Sequence, residues 1–219
     1  MKTCSKKGIM AGIALVLAFI LWTVLIQVVD VQPVGVEQTN IGLARMNTWF
    51  HRLTGVHMKI YTVTDWLGLV PIAVCGIFGL LGLIQLIQRR SIKKVDMDIL
   101  LLGIYYVIVI LAYLIFEMIP INYRPILIEG AKEASYPSST TLLVLSVMPM
   151  LVFQANRRVK DPLARRVILV FTVVFSALMV IGRTVAGVHW LSDIIGSVLL
   201  SAGLYLIYRS AAVSAGQEK

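Results

Sequence analysis

Apolar residues occur along this chain in six long blocks, at roughly 8–29, 66–88, 99–119, 140–156, 167–183 and 190–208. About 20 apolar residues carry an α-helix across the hydrocarbon core of a bilayer. No block alternates apolar and polar positions as a half-buried strand does. The pattern predicts an all-α, polytopic membrane protein, a single membrane domain over 1–219 with six transmembrane helices. The fourth and fifth blocks are short, which predicts helices whose ends meet something polar. The first block opens like a secretory signal. Its run from Gly8 to Val29 is longer than a signal's apolar region, however, and no A-x-A site follows, so it reads as an uncleaved span.

Between the first two blocks, residues 30–65 carry a different period. In NIGLARMNTWFHRLTG, Asn40 is placed to cap a helix and Gly55 to end it. Leu43, Met46, Phe50 and Leu53 fall on one stripe, with Arg45, Asn47 and Arg52 off it. This predicts an amphipathic helix in the outer interface, acting as a lid or lipid gate, or else a connector packed over the bundle.

Composition agrees with the pattern. The chain is 58% hydrophobic and 14% charged, where a soluble domain is about a quarter charged. Its net charge of +9 sits in residues flanking the apolar blocks, which speaks for orientation in a bilayer and against nucleic acid as a partner. Fourteen of the 20 Lys and Arg lie at the termini, in RRSIKK and in RRVKDPLARR. The positive-inside rule then puts both termini in the cytoplasm and the 30–65, 120–139 and 183–190 segments outside. The compact loops point to a bacterial plasma membrane. Cys4 and Cys75 have neither disulfide spacing nor a neighbouring histidine for a metal.

Ionisable groups at the edge of a membrane are costly and ask for a partner or a role. Four clusters stand out. Glu117 lies near the end of the third block, and Arg124 and Pro125 follow in NYRP. Pro137, Ser138, Ser139 and Thr140 open the fourth block, and GRTVAGVHWLSD joins the fifth to the sixth. The charge count, made without reference to chemistry, puts all four on one face. His189 and Asp193 are four apart, so a helix starting there would set them on one side. Asp193 would then accept from Nδ1–H and leave Nε2 as a nucleophile. Arg124 and Arg183 offer planar forks that match phosphate oxygens. The start of the fourth helix, with free backbone N–H groups, favours an anion. Alone, the His-x3-Asp pair is as readily structural, and Arg124 is as readily a headgroup-snorkelling residue. Their conjunction points to phosphoryl transfer.

These residues resemble the type 2 phosphatidic acid phosphatase superfamily, six-helix membrane relatives of the vanadium haloperoxidases, with motifs K-x6-R-P, P-S-G-H and S-R-x5-H-x3-D. The third motif is nearly complete here in Arg183, His189 and Asp193, with Gly182 in place of serine. Arg124-Pro125 matches the first, but Glu117 stands at the lysine position. Pro137-Ser138 matches the second, with Ser139 for glycine and Thr140 for histidine. The resemblance covers a phosphatase-like core at about 60–208. It implies His189 as nucleophile, Asp193 as its orienting partner, and Arg124, Ser138 and Arg183 as phosphate ligands, with the Ser139 N–H serving where the family's glycine does.

The departures shape the expected substrate. The family's second-motif histidine is the usual acid for the leaving group, and Thr140 does not replace it. An alkoxide's conjugate acid has a pKa near that of water, roughly 15.7, whereas a phosphate leaves at roughly 6. General acid catalysis is worth about 10²–10⁴-fold. A lipid pyrophosphate such as a polyprenyl pyrophosphate is therefore favoured over a monoester. Glu117 is a rival candidate for the acid, its pKa raised by burial. A catalytically impaired lipid-binding or regulatory protein is the alternative. Transport is disfavoured because ionisable groups sit at helix ends. A metal hydrolase is disfavoured because His51 and His57 are the only other histidines. No metal or cofactor is expected. Gly196, Ser197, Ser201 and Gly203 permit close helix packing, within or between chains, so oligomeric state stays open.

Overall fold

The computed structural model describes residues 2–215, with side chains from Lys6 onward; the side chains of Lys2, Cys4 and Lys219 lie outside the described residues. Eight α-helices follow in order: α1 Lys2–Val28, α2 Ala44–Thr54, α3 Met58–Leu67, α4 Leu69–Arg89, α5 Met97–Met118, α6 Ser139–Arg158, α7 Pro162–Val185 and α8 Leu191–Ala215. Six stretches among the described residues are long and apolar enough to cross a membrane, α3 and α4 counting as one. The protein is an integral membrane protein. A two-residue ribbon, β1 Gln32–Pro33 with β2 Asn40–Ile41, is antiparallel.

Several helix bounds differ from the apolar blocks, for one reason: helix ends are polar. The fourth and fifth spans are not short. They run 20 and 24 residues, because α6 continues through Arg157 and Arg158 and α7 begins at Pro162. Asp161 caps α7, its carboxylate accepting from Leu163 N–H at 3.0 Å and Ala164 N–H at 3.1 Å. The second span begins at Met58, where Thr62, Thr64 and Asp65 hide the helix from a hydropathy count. Together α3 and α4 run 32 residues. That is a rod of about 48 Å against a core of about 30 Å, so α3 overhangs one end.

The amphipathic helix exists, but not as its pattern predicts. Asn40 does not cap it; it lies in β2, and Leu43 occupies the cap with φ of 50°. Asn47, expected off the buried stripe, is fully buried, whereas Leu53 is exposed. The reason is polar. Asn47 donates to Gly42 O at 2.8 Å and to Ser192 Oγ at 3.0 Å, and accepts from Ser192 N–H at 3.1 Å. These bonds fix α2 over the start of α8. Gly55 does end the helix, at φ 69°.

α1 runs antiparallel along α8. A Cβ at Gly12 would stand 2.8 Å from Gly203 O, so only glycine allows this approach. Gly203 and Gly196 thus serve packing within the chain, Gly196 making room for Tyr136. Gly8 meets Ser210, and Trp22 Nε1 donates to Ser192 O at 3.1 Å. Both termini therefore share one end of the bundle.

That end holds an ionic cluster which the sequence pattern does not announce. Arg158 clasps the buried Asp98 carboxylate at 2.8 and 3.1 Å, Arg157 Nε adds a contact at 3.1 Å, and Arg89 reaches Asp96 at 2.7 Å. Tyr208 donates to Asp98 O at 3.1 Å and accepts from Gln154 at 2.8 Å. The network locks α4, α5, α6 and α8 in register at the end opposite the site.

Candidate active site

The opposite end gathers the C-termini of α5 and α7, the N-termini of α6 and α8, and the overhanging α3. Residues 119–138 fold here as a hairpin with isolated bridges Tyr123↔Ala134 and Ile128↔Ala131. Its base is tied to α8 by Asn122, whose Nδ2 lies 3.4 Å from Ser192 Oγ and 3.4 Å from Asp193 Oδ1. Tyr136 is buried, stacks on Phe19 at 6.0 Å and bonds Thr23 Oγ1 at 2.7 Å. The tyrosine thereby fixes the height of its neighbour, Ser135.

Ser135 matters for its backbone. His189 Nδ1 lies 3.1 Å from Ser135 O and 3.8 Å from Asp193 Oδ2. A carbonyl oxygen only accepts, so Nδ1 carries the proton and Nε2 keeps its lone pair. His189 does not share a helix face with Asp193. α8 starts at Leu191, leaving His189 in the connecting turn and Asp193 in the first helical turn. The Asp193 carboxylate instead accepts from Trp190 N–H at 2.8 Å, half of a capping box. The turn is pinned from α2 and α3: His51 Nε2 lies 3.1 Å from Gly187 O, and His57 N–H donates to Ala186 O at 3.0 Å. Gly187, at φ 69°, passes so close to Gly55 O that a Cβ has no room.

Arg183 is 1% exposed. Its Nη2 lies 3.3 Å from His189 Nε2, and its Nη1 reaches Thr64 Oγ1 at 3.5 Å and Asp65 Oδ1 at 3.6 Å. Tyr61 stands between the two guanidinium groups, its ring centre 4.9 Å from Arg183 and 5.9 Å from Arg124. Arg124 Nε lies 3.0 Å from Glu133 Oε2. Burial, reinforced by Arg124 and Arg183 and only partly opposed by Asp193, pushes the His189 pKa down to about 4.

A cavity of about 210 Å³ opens beside His189, lined also by Glu117, Arg124, Glu133 and Ser139. Arg183, Ser138, Thr140 and Asp193 do not line it. Ser138 Oγ donates to Thr141 Oγ1 at 3.0 Å and its N–H to Asp193 O at 3.3 Å, joining the starts of α6 and α8. Thr140 faces Gly68 at the α3–α4 break. In the first turn of α6, Leu142 N–H is bonded to Ser138 O, and the N–H groups before it have no intrahelical partner. The sequence reading missed Tyr61, Thr64, Asp65, Asn122, Glu133 and Ser135. The α3 residues were visible as polar breaks before the second block. Glu133 becomes legible only through the hairpin, and the Ser135 carbonyl has no signal in a side-chain pattern. Among the described residues no group of three or more His, Cys, Asp or Glu sits close enough to hold a metal ion.

The fold and the site together define a helical membrane protein whose clustered polar and charged residues come from adjoining helix ends. The chain belongs to the PAP2 superfamily, whose family model matches residues 104–214. It is also similar in fold to the crystal structure of a transmembrane PAP2-type phosphatidylglycerolphosphate phosphatase from Bacillus subtilis. The TM-score is 0.62 at 16% identity, covering 95% of this chain and 97% of that one. No curated protein matches it by sequence.

Proposed function

We propose that the protein is a membrane lipid phosphatase that hydrolyses a lipid phosphate or pyrophosphate through a phosphohistidine intermediate. The observation that carries this is the His189 imidazole, its Nδ1 on a carbonyl at 3.1 Å and its Nε2 beside a buried guanidinium at 3.3 Å. Nε2 attacks phosphorus, and the bond to the leaving oxygen breaks with its electron pair going to that oxygen. Asp193, 3.8 Å from Nδ1, offsets the positive charge formed on the ring. Water then attacks phosphorus, the P–Nε2 bond breaks with its pair returning to Nε2, and the proton lost by the water passes to solvent with the released phosphate. Arg124 and the Ser139 N–H, on the cavity wall, hold the phosphoryl oxygens; Arg183 and the Thr140 N–H lie behind that wall and reach them only once the phosphoryl group closes on Nε2, with Ser138 bracing the turn. No Lewis acid is needed. The likeness to a phosphatidylglycerolphosphate phosphatase supports a lipid phosphate as the substrate class.

Thr140 offers no acid for a poor leaving group, so a polyprenyl pyrophosphate is the favoured substrate; Glu117 is on the cavity wall but exposed, so the burial that would make it the acid is missing. The positive-inside count puts the termini in the cytoplasm and the site on the outer face of a bacterial plasma membrane. Purified protein in EDTA is expected to release phosphate from matched lipids, faster from the diphosphate than from the monophosphate. Equal or faster monophosphate hydrolysis removes the diphosphate preference. No release from any lipid favours the second reading, a lipid-binding or regulatory protein, which the exchanges at Glu117 and Thr140 support.

The depressed His189 pKa gives an expected pH profile. Protonation of Nε2 removes the nucleophile, and burial holds that protonation near 4. An exposed histidine would titrate near about 6.5. kcat/KM is therefore expected to persist below neutrality and to fall as pH drops through about 4. A half-loss of kcat/KM near the exposed value would contradict this environment for the ring.

A further inference from the structure

The cavity that should welcome a phosphate carries two carboxylates, Glu117 and Glu133. Glu133 is seated on one of the residues that a phosphate would use. We infer that Glu133 is an internal competitor for the substrate's anion, occupying Arg124 until a phosphoryl group displaces it, and so weakens anion binding at this site. This rests on the phosphatase reading for its substrate.

Arg124 and Glu133 face each other across the hairpin, with Arg124 N–H donating to Glu133 O at 3.1 Å. The side-chain contact is one-pronged. Nε lies 3.0 Å from Oε2 at an angle that leaves it without a hydrogen bond, and the buried Nη1 has no partner either. A guanidinium binds best when two parallel N–H groups meet two oxygens. A phosphoryl group offers that pair, and Glu133 as placed does not. Exposure is lopsided: the Arg124 side chain is 10% exposed and that of Glu133 is 38%. The arginine is fixed, and the released carboxylate can turn to water. Displacement still breaks a charge contact, and that cost is the same for a monophosphate and a diphosphate, so both bind more weakly than they would to an unoccupied Arg124. Glu117 makes no ion pair among the described residues. It repels either ligand without holding Arg124.

The test is calorimetric titration of detergent-purified protein with orthophosphate and with pyrophosphate, for wild type, Glu133→Gln and Glu117→Gln. Glu133→Gln is expected to bind orthophosphate about fivefold tighter, the upper worth of a partly exposed ion pair, and pyrophosphate should gain at least as much. Glu117→Gln, which releases no arginine, should tighten both by less. Unchanged or weaker orthophosphate binding by a folded Glu133→Gln protein overturns the inference, as does equal tightening in Glu117→Gln. If Glu133→Gln fails to fold, Glu133→Asp keeps the charge but withdraws it from Arg124. It should also tighten orthophosphate binding, and no change there overturns the inference equally. Lipid turnover is measured alongside: its absence in wild type sinks the phosphatase reading, while the titrations still decide the role of Glu133.

Discussion

His189→Ala is expected to abolish phosphate release from lipid substrates, by on the order of 10⁴-fold or more, as loss of a nucleophile does elsewhere. Nε2 is the unprotonated ring nitrogen on the cavity wall, its lone pair accepting from Arg183 Nη2 at 3.3 Å until a phosphoryl group takes over that guanidinium. Alanine removes that atom and leaves the arginines to bind a phosphate they cannot cleave. Substrate affinity should therefore survive better than kcat. The substitution also strips Ser135 O of its partner, at a cost to stability of about 1–3 kcal/mol, so thermal unfolding must be followed in parallel. In wild type, labelled phosphate should stay on the protein after an alkaline quench, as a phosphoramidate does. A folded alanine variant retaining substantial turnover would end the phosphohistidine proposal.

Arg183→Lys is expected to lower kcat by about 10²–10³-fold, the usual consequence of losing a preorganised donor to developing charge. The exchange looks mild and is not. Arg183 is enclosed by Tyr61, Thr64 and Asp65 and touches Nε2, so its planar fork is aimed before substrate arrives. A lysine ammonium is a compact, strongly hydrated point charge that cannot span the same set of oxygens. The loss should fall mainly on kcat, because the interaction strengthens as charge builds on the phosphoryl oxygens. A rise in KM with kcat intact would show that Arg183 binds substrate and transition state equally.

What the sequence allowed to be read divides along physical lines. The six spans were legible because the bilayer demands long apolar runs. Their ends were less so, since Thr64, Asp65, Arg157 and Arg158 are helical residues with polar work to do. Arg183, His189 and Asp193 stood out by a motif's spacing, and the structure brings the three together. How they cooperate was not legible. The ring sits before the helix, held by a carbonyl 54 positions away. Asn47 defeated its stripe because a buried amide satisfied by Ser192 behaves as a core residue. Glu133 needed the hairpin to find Arg124.

The carbonyl that grips the imidazole has an evolutionary consequence. Every amino acid has one, so no replacement at position 135 removes the grip itself. What must be guarded is the slot where the Tyr136 ring lies against Gly196, since a methyl there would push the ring away. Natural selection can thus let the hairpin's tip drift, provided that this tyrosine and glycine stay in place along with Asn122 and Arg124 at its base.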